Sequence, residues 1–179
     1  TYYLRRGELL NFVGCVERQW EEESWTARRP WAELDADYRG WHPMVRAVID
    51  AVDRDSCFRW ALNNREVATR WSSTRCTLLG DALHATLPYM AQGAAMAIED
   101  AAVLARALEL PAALPEQLAR YAAHRAVRTA RVVRESTEMG ELYHIQDAAA
   151  MREAFAERDI ARSRNEWLYP YDAWRVAIG

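Results

Sequence analysis

Leu78-Leu79-Gly80-Asp81-Ala82-Leu83-His84, continued by Leu87-Pro88-Tyr89-Met90-Ala91-Gln92-Gly93-Ala94-Ala95-Met96-Ala97-Ile98-Glu99-Asp100-Ala101, is the most informative stretch of the chain. It reads as a buried strand, a Gly-Asp at the strand's end, a loop containing Pro and Gly, and a helix apolar nearly all round. A helix that opens on glycine leaves its first backbone N–H groups without intrahelical partners, so they can face a ligand. The layout suits an anionic or polarised group at the helix start and a polyol held by the aspartate.

Working outward, Arg75 to Leu79 is a short apolar run that fits a strand covered on both faces, as in a parallel sheet. Such a strand needs neighbours, and the chain offers few, so the sheet's other strands are expected elsewhere. Leu9 to Arg18 reads as a strand, because Phe12, Gly14 and Val16 alternate with Val13, Cys15 and Glu17. Glu21 to Arg29 is charged and reads as a loop. Pro30 stands before a short helix from Trp31 to Tyr38, which Gly40 ends. Pro43 starts another, Met44 to Val52, with Val45, Val48, Ile49 and Val52 on one face. Cys57 to Leu62 reads as a short strand, and Arg65 to Ser73 as a polar connector. A helix is expected over Gln92 to Leu108, with a turn between Pro111 and Pro115. A long helix follows from about Pro115 to Glu138. Two more, near Asp147 to Arg158 and Asp159 to Trp167, close the chain.

Composition narrows the class. With 179 residues, 51% hydrophobic and 11% aromatic, the chain is a packed globular protein and not a disordered one. It could bury roughly 70% of its unfolded surface. The net charge of −3 gives no reason to expect nucleic acid or an anionic membrane. All 23 basic residues are arginine, which excludes Schiff-base chemistry and a phosphate-loop lysine. Cys15, Cys57 and Cys76 form no C-x-x-C pair, so neither a disulfide framework nor a metal site is expected. They read as reduced thiols of a cytoplasmic protein. No apolar run approaches the ~20 residues of a membrane span.

The run from Gly80 to Asp100 resembles the second flavin-binding motif of the class A flavoprotein monooxygenases, the salicylate-hydroxylase-like group in particular. The matching positions are Gly80, Asp81, Ala82, His84, Pro88, Gln92, Gly93, Glu99, Asp100 and Ala101. Ala85 stands where that pattern often has proline, and Leu83 where it usually has a small residue. The resemblance extends more weakly to Trp41-His42-Pro43, Trp60-Ala61-Leu62, Arg65, Trp71 and the stretch Trp167 to Trp174. The Gly-x-Gly-x-x-Gly turn that holds a dinucleotide's diphosphate does not occur in the chain. The resemblance therefore implies a mixed α/β, helix-rich chain. It would be the C-terminal half of a two-domain FAD-binding monooxygenase fold, lacking the N-terminal dinucleotide-binding part. Residues 1–71 would be the remainder of a substrate-binding domain, 72–110 a returning segment of the FAD-binding domain, and 111–179 C-terminal helices. Partners would be a second copy of the chain or the missing N-terminal half.

The resemblance also assigns roles. Gly80, Asp81, Gln92, Gly93, Ala94 and Ala95 would bind FAD, Asp81 holding the ribityl chain. The N–H groups of Gly93, Ala94 and Ala95 would face the flavin's pyrimidine edge. Without a ligand, Asp81 would be an Asx-turn or cap, and the small residues ordinary tight packing. Pro88, Tyr89 and Gln92 would lie beside the reacting ring. Pro88 stiffens the loop; Tyr89 touches substrate or simply packs; Gln92 bonds substrate or flavin, or caps the helix. His84 reads as a hydrogen-bonded structural residue. Glu99 and Asp100 sit in an apolar helix, where an unpartnered carboxylate is costly, so one of them should meet an arginine or backbone. Arg120, His124, Arg128 and Arg131 make a basic stripe that suits a solvated face. Trp60 and Trp71 are the best candidates for lining an aromatic pocket.

The implied reaction is hydroxylation of a small aromatic acid, salicylate-like or hydroxynicotinate-like, by FAD, NAD(P)H and dioxygen, with the hard chemistry belonging to the cofactor. The alternative is a non-enzymatic helical fragment or interaction module that binds no flavin alone, its apolar strand and helix pairing with another chain.

Overall fold

Positive φ angles at Arg5, Arg6 and Gly7 turn the chain back on itself, pairing Tyr2–Leu4 (β1) antiparallel with Leu9–Asn11 (β2). The computed structural model describes residues 1–20, 22–158 and 166–178. They divide into two compact units, Thr1–Leu62 and Asn63–Gly179.

In the first unit the strand expected from Leu9 to Arg18 stops at Asn11. The reason is steric. The chain passes over Tyr38 at Gly14, where even a Cβ would lie 2.0 Å from the phenol oxygen. Phe12 meets the Tyr38 ring edge-on at 5.5 Å. Helix α1 (Trp31–Asp37) and helix α2 (Pro43–Asp50) form as expected. Gly40 turns the chain between them with φ +81°. His42 caps α2, its Nδ1 accepting from the Met44 N–H at 3.2 Å. The expected strand from Cys57 to Leu62 reduces to one bridge, between Arg28 and Phe58. Arginines tie the unit together: Arg59 pairs with Glu33 at 2.7 Å and with Asp37, and Arg46 pairs with Asp35.

The second unit is helical. Asp81–His84 forms a single turn (α3), followed by a 3-10 turn at Pro88–Met90 and then Gly93–Leu108 (α4). Leu114–Tyr143 (α5) follows, longer than expected at 30 residues and roughly 45 Å. Ala148–Glu157 (α6) starts on an Asp147 cap whose carboxylate accepts from the N–H groups of Ala149 and Ala150. The helix expected from Asp159 to Trp167 lies outside the described residues over 159–165. Two apolar clusters hold α4 and α5 together. One gathers Trp71, Leu83, Val103, Ala107 and Tyr121; the other Met90, Met96, Val132, Met139 and Leu168. Full burial of each large member is worth roughly 1.5–3 kcal/mol.

One expectation is corrected here. The run before Gly80 is not a buried strand: Thr77 makes a single bridge to Ser72, and Leu78 is 47% exposed. The described residues supply no parallel partner for it. Helix α4, apolar nearly all round in sequence, is covered on one side. Its Met96, Asp100 and Val103 side is buried, while Ala94, Ala101 and Ala105 face outward and Ile98 is 70% exposed. Trp71 is a core residue of the second unit, packed with Leu83 and Tyr121, and Trp60 belongs to the first unit.

The stripe on α5 is largely neutralised. Arg120 pairs with Glu116, Arg131 with Glu135 and Arg128 with Glu99. Among the described residues, no helix is long and apolar enough to cross a membrane.

Gly140 of α5 is a close-approach glycine: a Cβ there would lie 2.6 Å from Cε2 of Tyr89. Alanine normally favours a helix interior by about 0.5–1 kcal/mol over glycine. Gly140→Ala should nevertheless lower stability by about 1–3 kcal/mol through overpacking. Pairing it with Tyr89→Leu should recover much of the loss in thermal unfolding. A rise in melting temperature for the single variant would contradict the contact.

Candidate functional site

The site grows from Gly80. Its φ of +61° and ψ of −143° belong to a region that side chains rarely enter. A Cβ built there would also sit 3.2 Å from Cβ of Ala97. Glycine thus lets the turn into α3 press against α4. Its N–H donates to Asp100 Oδ2 at 2.9 Å, one helical turn beyond Ala97.

Asp100 is fully buried and serves three donors. Besides Gly80, His84 Nε2 lies 2.6 Å from Oδ2, and Arg125 Nε donates to Oδ1 at 2.7 Å. Burial alone pushes this carboxyl's pKa up. The hydrogen bonds from His84, Gly80 and Arg125, with the Arg125 charge, outweigh it and hold the group below the usual carboxylate range. Arg125 is itself fully buried. Its Nη1 stands 2.7 Å from Glu99 Oε2 as an ion pair, without the alignment of a hydrogen bond. Glu99 also takes two bonds from Arg128, each 2.7 Å. Both carboxylates of α4 thus meet arginine, where one was expected, and His84 is the hydrogen-bonded structural residue anticipated.

The loop after α3 is held at several points. The Arg65 N–H donates to the Ala85 carbonyl at 3.3 Å, and the Ser136 hydroxyl to the Leu87 carbonyl at 2.6 Å. Met90 is buried, and Ala91 adopts a left-handed conformation with φ +54° that redirects the chain into α4. The N-cap residue of α4, Gln92, makes no side-chain cap, so no side chain satisfies the helix's first N–H groups.

Together these elements border an open cleft of about 630 Å³. Gly80, Asp81 and Leu79 form one wall, Pro88 and Ala91 the loop side, and Gly93, Ala94 and Ala97 the α4 side. Of the residues singled out by sequence, the cleft gathers Gly80, Asp81, Pro88, Gly93 and Ala94. Tyr89, Gln92 and Ala95 are not among its lining residues. Tyr89 packs toward the end of α5, its ring 5.8 Å from that of Tyr143 and 6.1 Å from that of His144. Ala95 packs against the second apolar cluster. Asp81 is exposed, and its carboxylate has no partner among the described residues. Thr86, Ala91 and Ala97 line the cleft without having been singled out. Among the described residues, no cluster of His, Cys, Asp and Glu could hold a metal ion.

Residues 5–136 match the model of a family described as an FAD binding domain. The chain belongs to this family, that of the class A flavoprotein monooxygenases. Its relatives in the family include the 3-hydroxybenzoate 6-hydroxylase of Polaromonas naphthalenivorans, 36% identical over 98% of this chain and 44% of that protein. The 6-hydroxynicotinate 3-monooxygenase of Bordetella bronchiseptica is 43% identical over 74% of this chain and 34% of its own length. A solved salicylate hydroxylase substrate complex superposes with a TM-score of 0.70 at 26% identity, covering 88% of this chain and 39% of the other. The chain thus spans less than half the length of these FAD-binding family members.

Asp100→Ala would leave Arg125 buried beside an empty acceptor, so a loss of about 3–5 kcal/mol in unfolding free energy is expected. A carboxylate with a depressed folded pKa stabilises fully above its unfolded value of about 3.9, and less as pH falls through the folded value. Asp100→Asn should therefore differ most from the parent near neutrality. Denaturant titrations below about pH 4 should show the gap closing; a gap independent of pH would exclude an ionised Asp100.

Proposed function

We propose that this chain is part of an FAD-dependent monooxygenase that hydroxylates a small aromatic hydroxy acid using NAD(P)H and dioxygen. The observation that carries the reading is the shared cleft: Asp81 and the opening of α4 at Gly93–Ala94 line the same cavity. The names of the relatives, hydroxylases of hydroxybenzoate and hydroxynicotinate, support the substrate class.

The residues present fit FAD on three counts. Gly80 has no side chain and Ala97 only a methyl, so nothing bulky stands between the α3 turn and α4 on the cleft. Asp81 offers a carboxylate that no described residue occupies, suited to accept from the hydroxyls of a ribityl chain. The first turn of α4 offers N–H groups and the positive end of the helix dipole, worth about 0.3–1 kcal/mol to a negative or polarised ring edge. Gly80, Asp81, Gly93 and Ala94 would hold the cofactor. When bound, FAD supplies electron transfer from NAD(P)H and the activation of dioxygen that puts one oxygen atom on the aromatic ring.

This chain's contribution is binding, orientation and stiffness. Pro88 fixes φ at the loop's turn, and Ser136 and Gly140 fix the loop's back. The loop can thus border the reacting ring with little freedom, which favours a single substrate pose. Gln92 stands at the junction of loop and helix, where it could reach substrate or flavin. Tyr89 would act by packing the loop against α5. On this reading residues 1–71 belong to the substrate-binding domain, residues 72–110 return to the FAD-binding domain, and 111–179 buttress it. The dinucleotide's diphosphate would be bound by a preceding N-terminal half.

Removal of the Asp81 carboxylate tests the reading. Asp81→Ala in the full-length flavoprotein should raise the FAD Kd by about 10- to 100-fold, as expected for hydrogen bonds to a charged group. Flavin fluorescence released on dilution measures it. Unchanged FAD affinity would overturn the assignment.

A further inference from the structure

We propose that His84 is a positioning residue for FAD, acting through the buried Asp100 carboxylate to fix where Asp81 stands. The inference rests on the FAD reading above and adds a residue that reaches the cofactor only through others.

The geometry carries it. His84 ends the single turn that Asp81 begins, and both are tied to Asp100 on another helix: His84 by its ring at 2.6 Å, Asp81 through the adjoining Gly80 N–H at 2.9 Å. A four-residue helix has almost no hold on its own shape. Here its start and its end converge on one carboxylate oxygen, Oδ2 of Asp100, so the turn is clamped like a staple against α4. Asp100 has little freedom to follow a displaced turn, because Arg125 Nε grips its other oxygen at 2.7 Å. His84 is itself wedged beside Trp71, the ring centroids 5.9 Å apart. If His84 lets go, the turn still has its Gly80 bond, the Arg65 guanidinium on the Ala82 carbonyl and the buried Leu83, but it loses the side-chain tie at its end. Asp81, exposed at its start, then shifts relative to Gly93 and Ala94 across the cleft. His84 is not among the residues lining that cleft, so it does not act by touching the cofactor.

The test uses the full-length flavoprotein and two variants that differ by one methylene. His84→Gln can extend an amide N–H to about the place of Nε2; His84→Asn carries the same group but falls short. His84→Asn is expected to weaken FAD binding by about tenfold and His84→Gln to stay within about threefold of the parent. Both affinities are read from flavin fluorescence, with melting temperatures of the apoproteins alongside. In an Asp81→Ala background the Asn variant should add less than about twofold, because the residue it acts through is gone. Equal losses in the two backgrounds, or equal affinities for Asn and Gln, would overturn the proposal and leave His84 a packing residue. Should Asp81→Ala alone leave FAD affinity intact, the fault lies in the FAD reading of Asp81, and the positioning role falls with it.

Discussion

A carboxylate that water cannot reach organises the second unit. Asp100 lies on a helix that is otherwise apolar on its inner side, and burying its charge without partners would cost several kcal/mol. That cost is offset by donors from three places in the chain: the N–H of Gly80, the ring of His84 and the guanidinium of Arg125. Because each donor is fixed in its own element, satisfying the carboxylate also fixes those elements relative to one another. Helix α4, helix α5 and the turn at residues 80–84 are thereby held in register, and the cleft lies between that turn, the loop after it and α4.

The loop facing that cleft is set by the other end of α5. Ser136 holds the Leu87 carbonyl, and the missing side chain of Gly140 admits the Tyr89 ring. One long helix therefore anchors both sides of the cleft, the turn at residues 80–84 through Arg125 and Asp100 and the loop through Ser136 and Gly140.

Much of this was readable beforehand. The motif from Gly80 to Asp100 locates the turn, the loop and α4, and the 3.6-residue period locates α2. Local signals at Pro43, Pro115 and Asp147 marked helix starts correctly, because capping and proline geometry act over a few residues. Strands are less legible. Alternation from Leu9 to Arg18 was real, but a glycine under a tyrosine ring ended the pairing at Asn11. The run at Arg75 to Leu79 has the composition of a covered strand, and no described residue pairs beside it beyond Ser72. Arg125 could have been found. Leu118, Tyr121, Arg125, Thr129, Val132, Ser136 and Met139 follow one another at intervals of three and four, so an arginine lies on the buried stripe of α5. An arginine there needs a buried acid, and Asp100 was in view. The outward turn of Tyr89 had no comparable signal, since it depends on Gly140, fifty-one residues further on.

The absence of lysine acquires a structural meaning at Arg128. Its flat cation pairs with Glu99 along one edge, donates to the carbonyls of Trp167 and Leu168 along another, and lies 4.0 Å from the ring centroid of Tyr171. An ammonium group has three hydrogens, no flat face and no second edge. A charge-preserving exchange at this position would therefore forfeit the peptide contacts or the stacking, and would behave in evolution less like a neutral drift than like a deletion of the fastening that keeps the last segment on α5.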